Sequence, residues 1–453
     1  MSTAPDRQLN RRLLLGLAVV APLAACQPSA GSGAGAAPSL GATSSSASGG
    51  SSTTSVSPVP TTASPTATQG SPTPTATPSP SETASATPGV FVHPGLLHTQ
   101  ADFDRMAAKV RANAAPWKAG WDRLVANRHS QSTWKANPLA TVVRGGTGQN
   151  FTTLYNDIHA SYQNALRWKI TGDAANGDAA RDILNAWSKT LTAVTGNADR
   201  FLAAGIYGYQ FANAAEIMRG YGGFDFDRFK NMMLNVFYPL NEQFLTGHND
   251  ACITNYWANW DLSNMNSILA IGILCDDQAK VDRAVSYFKT GAGNGAIMNV
   301  IPFLHPDGLG QWQESGRDQG HTMMGVGQLG TFCEMAWNQG YDLFGYADNR
   351  FMRGAEYVAR YNLGQSVPFT TYTWGTGQNC AQRSQTEISS ASRGQDRPIW
   401  ELVYNHYAVR KGWSVPNIAA YAARVRAEGG GGDYGPDSGG FDQLGFGTLT
   451  CTL

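Results

Sequence analysis

Residues 201–221 read FLAAGIYGYQFANAAEIMRGY, and residues 255–274 read NYWANWDLSNMNSILAIGIL. Apolar side chains recur in both at three- and four-residue spacing, the period of an α-helix and not of a strand. Tyr, Trp, Asn and Gln are interleaved with Ala, Ile and Leu on the same faces. Long helices of this kind suit the inside of a large helical domain. There, rings and amides could border a wet cleft, since sugar sites combine aromatic faces with hydrogen-bonding amides. For any single residue, plain packing of the ring is the simpler reading.

Similar periodicity runs through 99–112, 156–171, 179–194 and 226–245, with short polar breaks between. Alternating strands are scarce. The pattern predicts about a dozen helices in an all-α domain with little β structure. A helical domain of this length forms a bundle, a solenoid or a toroid of helical hairpins. No repeat of fixed period is visible, which disfavours the standard solenoids.

The domain occupies 90–453 of the 453 residues. Residues 1–26 carry Arg11 and Arg12, an apolar run from Leu13 to Ala25, and then Cys26. The run is too short to span a bilayer. It reads as an export signal whose ending, Leu23-Ala24-Ala25-Cys26, resembles a lipobox; the paired arginines also resemble a twin-arginine signal. Residues 27–89 are almost wholly Ser, Thr, Ala, Gly and Pro. They have too little apolar surface to offset ordering entropy and read as a disordered linker. The expectation is a monomeric lipoprotein held at the outer face of the cell membrane through Cys26, or a secreted protein.

Formal net charge is zero, so no global attraction to nucleic acid is expected, and positive charge for an acidic ligand must be local. Five cysteines remain after Cys26, so at least one stays unpaired within the chain. Cys380 and Cys451 lie in Gly- and Thr-rich surroundings suited to a disulfide. Cys252, Cys275 and Cys333 lie in helical patterns and read as buried thiols. No Cys/His spacing resembles a zinc site, and no metal or other cofactor is expected. There is no G-x-S-x-G elbow, P-loop or H-E-x-x-H. GGTGQN at 145–150 is Gly-rich, but no strand and helix are expected around it.

Three segments concentrate chemistry. The first is QWQESGRDQGH at 311–321. With a helix starting near Glu314 or Ser315, Glu314, Arg317 and His321 share one face; the bland alternative is an exposed first turn with a salt bridge. The second is 255–266, where Asn255, Asn259 and Asn266 fall within about 40° on a helical wheel. Such an amide row could grip a carboxylate, or could merely cap and cross helix ends. The third is WELVYNHY at 400–407, with Tyr404, His406 and Tyr407 as groups able to transfer protons; otherwise it is a helix with one buried His.

HPGLLHTQADFDRMAAKVRANAAPWKAGWDRL at 93–124 resembles the opening of alginate-lyase-type domains. NYWANWDL, QWQESGRDQGH, CEMAWNQGYDLFGYADNRF (333–351) and WELVYNHYAVRKG (400–412) resemble the branch near polysaccharide lyase family thirty-eight. The resemblance implies an incomplete (α/α) toroid and β-elimination of an acidic, uronate-containing polysaccharide, with no obligatory metal. Carried over by position, Arg317 with Asn255 or Asn259 would neutralise the carboxylate. His321 or His406 would be the base, and Tyr407 or Tyr404 the acid. Trp257, Trp260 and Trp312 would be sugar platforms, with Gln313, Glu314 and Gln319 as further substrate contacts. Well-known relatives carry a catalytic Tyr about two turns after the Arg, where this chain has Thr322, Met323, Met324 and Gly325.

Two rival readings remain. A glycoside hydrolase would use two of Glu314, Asp261, Asp318 and Glu401 across the scissile bond. A non-catalytic glycan-capturing lipoprotein would need only the Trp platforms.

Overall fold

A computed structural model describes residues 90–453 except 376, 378, 381, 431–432 and 435–439. The expected export signal with Cys26 and the linker lie outside the described residues. The chain runs through α1 (Gln100–Arg111), α2 (Trp117–Ala126), β1 (Thr141–Val143), α3 (Phe151–Thr171), α4 (Ala174–Thr190) and β2 (Ala193–Thr195). Next come α5 (Asp199–Ile217), α6 (Phe226–Met232), α7 (Tyr238–Gly247), α8 (Ala258–Leu274), α9 (Gln278–Thr290) and α10 (Ile297–Val300). The hairpin β3 (Phe303–Leu304)–β4 (Gly310–Gln311) leads into α11 (Gln319–Asn338) and α12 (Tyr346–Asn362). The hairpin β5 (Tyr372–Trp374)–β6 (Arg383–Gln385), α13 (Trp400–Tyr404), α14 (Pro416–Val425) and α15 (Gly447–Thr450) complete the domain.

The helices form an incomplete (α/α) toroid of hairpins. Helices α3 and α4 are joined only by Gly172 and Asp173, and α8 and α9 by residues 275–277; links this short make neighbours antiparallel. Gly172 takes φ 78° at the end of α3, a left-handed cap that costs glycine nothing sterically. Helices α1, α4 and α9 are amphipathic and carry side-chain N-caps from Thr99, Asp173 and Asp277. Thr99 and Asp102 form a reciprocal capping box on α1, worth about 1 kcal/mol. The inner helices α5, α8 and α11 are buried over nearly their whole surface, and every residue of α8 is inside. Helices α5 and α8 approach so closely that a Cβ on Gly208 would sit 2.1 Å from the Ser267 hydroxyl.

The polar residues of these inner helices mostly cross-link the barrel instead of lining a wet cleft. Asn266 donates to the carbonyls of Leu262 and Gln328, and Asn264 accepts from Asn241. Gln328 donates to Ser263 at 2.7 Å. On α5, Tyr209 and Gln210 donate to the backbone of Asp442 and Phe441. Buried amides need partners, and bonds within and between helices satisfy the amide N–H groups of Asn266, Asn241 and Gln328.

Among the described residues the strands are three short two-stranded ribbons, β1–β2 parallel and the other two antiparallel. Contrary to expectation, GGTGQN is flanked by β1 and α3. A three-residue ribbon pairing Thr141–Val143 with Ala193–Thr195 is nonetheless far from a nucleotide-binding sheet. The disulfide also differs from expectation. It joins Cys252 to Cys380, and Cys275, Cys333 and Cys451 are free. Cys252 lies in the loop before α8, not inside a helix.

One buried carboxyl gives the fold a pH dependence. Glu428 is fully buried. Its Oε1 accepts the N–H groups of Trp400 and Glu401, while Oε2 has no partner and borders a small cavity with Gln443, Thr331 and Gly447. Burial, reinforced by the Glu401 carboxylate, pushes Glu428 up to about 8. The folded state therefore holds a proton that the unfolded chain releases above its ordinary value of 4.5. The resulting stability is complete below pH 4.5 and is lost as pH rises through 8. The melting temperature is expected to fall by several degrees between pH 5 and 8.5, and Glu428→Gln to flatten that fall. An unchanged slope in the variant would refute the assignment.

Candidate active site

Asp318 begins α11. Its Oδ1 accepts the His321 backbone N–H at 2.7 Å, an N-cap bond of the kind that fixes where a helix starts. Residues 313–317 are therefore turns, not the first helical turn that the spacing suggests. The turns still bring Glu314, Arg317 and His321 together. Arg317 Nη1 donates to Glu314 Oε2 at 2.8 Å, and Nη2 donates to His321 Nε2 at 3.1 Å. Arg317 Nε lies 3.4 Å from Asp318 Oδ2. The guanidinium also sits 4.8 Å from the centre of the Trp257 ring, a cation–π contact.

The partners set the His321 tautomer. Arg317 can only donate, so Nε2 accepts and Nδ1 carries the proton, donating to Asp318 Oδ2 at 2.8 Å. Burial alone would raise the Asp318 carboxyl. The ring and backbone donors of His321, with Arg317, outweigh it and hold the group down at about 2. The side chain of His321 is 26% exposed and that of Arg317 16%, whereas Glu314 is sealed. The cluster thus presents a neutral imidazole and one edge of a guanidinium to solvent above a buried carboxylate.

Glu314, whose counter-charge is Arg317, is also hydrogen-bonded from α8. The Asn259 backbone N–H donates to Oε1 at 2.8 Å, and its Nδ2 reaches both carboxylate oxygens at 2.9 and 3.0 Å. Asn259 is therefore held by the protein. Helix α8 starts at Ala258, so Asn255 precedes it and the expected row of three amides is broken. Asn266 is tied inside the barrel. Asn255 is half-buried in the loop next to Trp257, and among the described residues its side chain has no hydrogen-bond partner.

The remaining sequence candidates sit elsewhere. Trp260 packs against Phe244 and Tyr256, and Trp312 is fully buried against Gly325 and Gly354; neither offers a face to a sugar. Trp257 is half-buried and leans on Trp374, ring centres 4.7 Å apart. Gln313 accepts from the Ala258 N–H, and Gln319 bonds Ser315, Ser389 and Asn362. His406 stacks on Phe344 and meets Trp337 near the far end of α11. Sixteen residues separate Trp337 from His321, about 24 Å of helix. Burial, with Arg410 and Lys411 nearby, lowers His406 to about 2, which makes it a poor proton acceptor at neutral pH. Tyr407 is fully buried and donates to the Phe344 carbonyl, and Tyr404 lies beside Arg426. The structure does not bring these three to Arg317.

Sequence reasoning overlooked Asp318 as the partner of His321, and overlooked the β5–β6 hairpin. The Asp-x-x-His spacing ahead of a helical run signals a cap whose side chain can also reach the His. The hairpin carries only a Gly-rich turn between two short strands and gives little signal.

The family model described as Alginate lyase matches residues 105–368. No curated protein matches the sequence. An alginate lyase from Bacteroides ovatus superposes with a TM-score of 0.52 at 14% identity, covering 80% of this chain and 100% of that one. A histidine-to-alanine variant of alginate lyase A1-III in its apo form gives 0.51 at 12% identity, covering 83% and 99%. At such identities the structural likeness supports the fold, while the family model spans more than half of the sequence: the chain belongs to the alginate lyase family of polysaccharide lyases.

Proposed function

We propose that the chain cleaves a uronate polysaccharide of the alginate or glucuronan type by β-elimination, with His321 as the proton-transfer group. The observation that carries this reading is the Asp318–His321–Arg317–Glu314 chain, which leaves an imidazole and a guanidinium in contact and both partly exposed. The C5 proton of a uronate is a weak acid, and its removal spreads charge onto the carboxylate. Donors placed where that charge develops lower the barrier. The substrate carboxylate takes the Arg317 Nη2 donor and the Asn255 amide, which releases the His321 Nε2 lone pair to accept the proton. Asp318 stabilises the imidazolium that forms. Trp257 supports the sugar ring.

His321, held at Nδ1 by Asp318 and with Nε2 turned to Arg317, serves both steps, taking the C5 proton and returning it to the leaving O4. That requires C5–H and O4 on the same face of the ring, as in D-mannuronate and D-glucuronate but not L-guluronate. Polymannuronate or glucuronan is expected to be cleaved at least about tenfold faster than polyguluronate, read as unsaturated product. Preference for polyguluronate would rule out the single-imidazole route.

The hydrolase alternative finds no support in the geometry. Asp261 is buried with His248 and Tyr287, and Glu401 with Arg426 and Asn405. Glu314 is sealed under Arg317. The branch is one near polysaccharide lyase family thirty-eight, a reading supported by the resemblance of 255–262, 311–321, 333–351 and 400–412. The chain acts as a monomer tethered by a lipid on Cys26 through the linker. Metabolic lipid labelling lost in Cys26→Ser tests the tether.

A further inference from the structure

The turn that carries Glu314 and Arg317 closes on itself through the Arg317 N–H to the Glu314 carbonyl at 2.8 Å and the Ser315 N–H to the Trp312 carbonyl at 3.1 Å, and it is also held from outside. Residues 313–317 form no helix, and part of their backbone is bonded by segments that follow far along the chain. Gln385, on β6 and buried, accepts the Gly316 N–H through Oε1 at 2.9 Å. The approach is so close that a Cβ on Gly316 would lie 2.4 Å from that oxygen. Ser389 N–H donates to the Ser315 carbonyl at 2.9 Å, and Gln319 N–H to the Ala391 carbonyl at 2.8 Å.

The same hairpin backs the other side of the site. Trp374 leans on Trp257, the ring that supports Arg317. Tyr372 stacks on Trp374 and donates to Asn294, which in turn donates to the carbonyls of Thr254 and Tyr256. The Cys252–Cys380 bond, with Cα atoms 5.7 Å apart, staples the hairpin to the loop that delivers Asn255 and Trp257. The hairpin also lies beyond the residues shared with the family model.

We infer that Gln385 is a positioning residue for the elimination, setting the Glu314–Arg317 turn from a hairpin whose seat depends on the Cys252–Cys380 staple. Gln385 touches no substrate. It fixes the Gly316 amide, and through that turn the direction in which Arg317 meets His321 and the uronate carboxylate. Displacement of a catalytic group by about 1 Å can cost a hundredfold in rate. The staple closes a separation of 128 residues, the long-loop case in which a cross-link restricts the unlinked chain most. This inference rests on the lyase reading above.

The test uses the whole chain and three variants: Gln385→Leu, Gln385→Glu and the pair Cys252→Ser with Cys380→Ser. The wild type is also treated with dithiothreitol. That reagent breaks the Sγ–Sγ bond to two thiols and ends as its own cyclic disulfide, two electrons and two protons passing to the cysteines. Gln385→Leu is expected to lower kcat/KM by about 10- to 100-fold and to speed amide exchange at Gly316, with an unchanged melting temperature. Gln385→Glu keeps the acceptor and is expected to recover to within a few fold. Reduction or the Ser pair is expected to raise KM more than it lowers kcat. Gln385→Leu within twofold of wild type, or slow exchange at Gly316 in that variant, overturns the inference, as does failure of Gln385→Glu to recover. If the wild type makes no unsaturated product at all, the lyase reading fails, and Gly316 exchange still decides the positioning claim by itself.

Discussion

His321→Ala should lower kcat on polymannuronate or glucuronan by about a thousandfold, within the range that general acid–base groups supply. The loss should fall on kcat far more than on KM, because the imidazole acts on the proton in flight and not on the bound ground state. The variant should fold normally. The Asp318 cap on α11 uses the backbone N–H of residue 321, which alanine retains. Asp318→Asn should cost nearly as much. An amide at that position can donate to Nδ1 and favour the other tautomer, turning Nε2 into an N–H that cannot accept. A His321→Ala variant with wild-type kcat would remove the imidazole from the mechanism.

Arg317→Ala should damage both stability and rate. It leaves the sealed Glu314 carboxylate with only the Asn259 donors, and stranding one half of a buried pair costs about 3 kcal/mol. The rate should fall about 100- to 1000-fold through the lost donor at the developing charge. The two effects separate in a double variant. Arg317→Met with Glu314→Gln removes the buried charge together with its partner, so the melting temperature should recover while activity stays lost. Arg317→Lys should keep the Glu314 contact but not the simultaneous reach to His321, since an ammonium lacks the planar fork. Full activity in Arg317→Ala would show that the carboxylate is neutralised elsewhere.

The inner helices were legible from long uninterrupted runs of apolar and small residues without Pro, since burial on all sides leaves little one-sided signal in α5 and α8. So was the grouping of Glu314, Arg317 and His321, although for a different local reason. The spacing suggests one helical face. In the structure a turn and an N-cap produce the same meeting, because a turn followed by a helix also returns the chain within a few residues. The true start of α11 depends on Asp318 outcompeting Ser315 as cap, and on Gln385, 69 residues away, holding Gly316. No local pattern encodes such a contact. The amide row broke for a related reason: Trp257, extended at ψ 155°, is the residue before α8, so Asn255 lies outside the helical wheel that was drawn through it. His406 and Tyr407 have the right chemistry, but Phe344 and Trp337 take them into the core. Residue type shows what a side chain can do, and only packing shows whether it meets solvent. The Cys252–Cys380 pairing was illegible for the same reason of distance along the chain.

The most direct test follows ultraviolet absorbance of unsaturated uronate alongside new reducing ends, with the wild-type chain on polymannuronate, glucuronan and a neutral glycan. The expected result is that both signals rise in parallel on an acidic polymer, are absent on the neutral one, and vanish together in His321→Ala. New reducing ends without the absorbance, or equal absorbance with His321→Ala, would contradict elimination at this site.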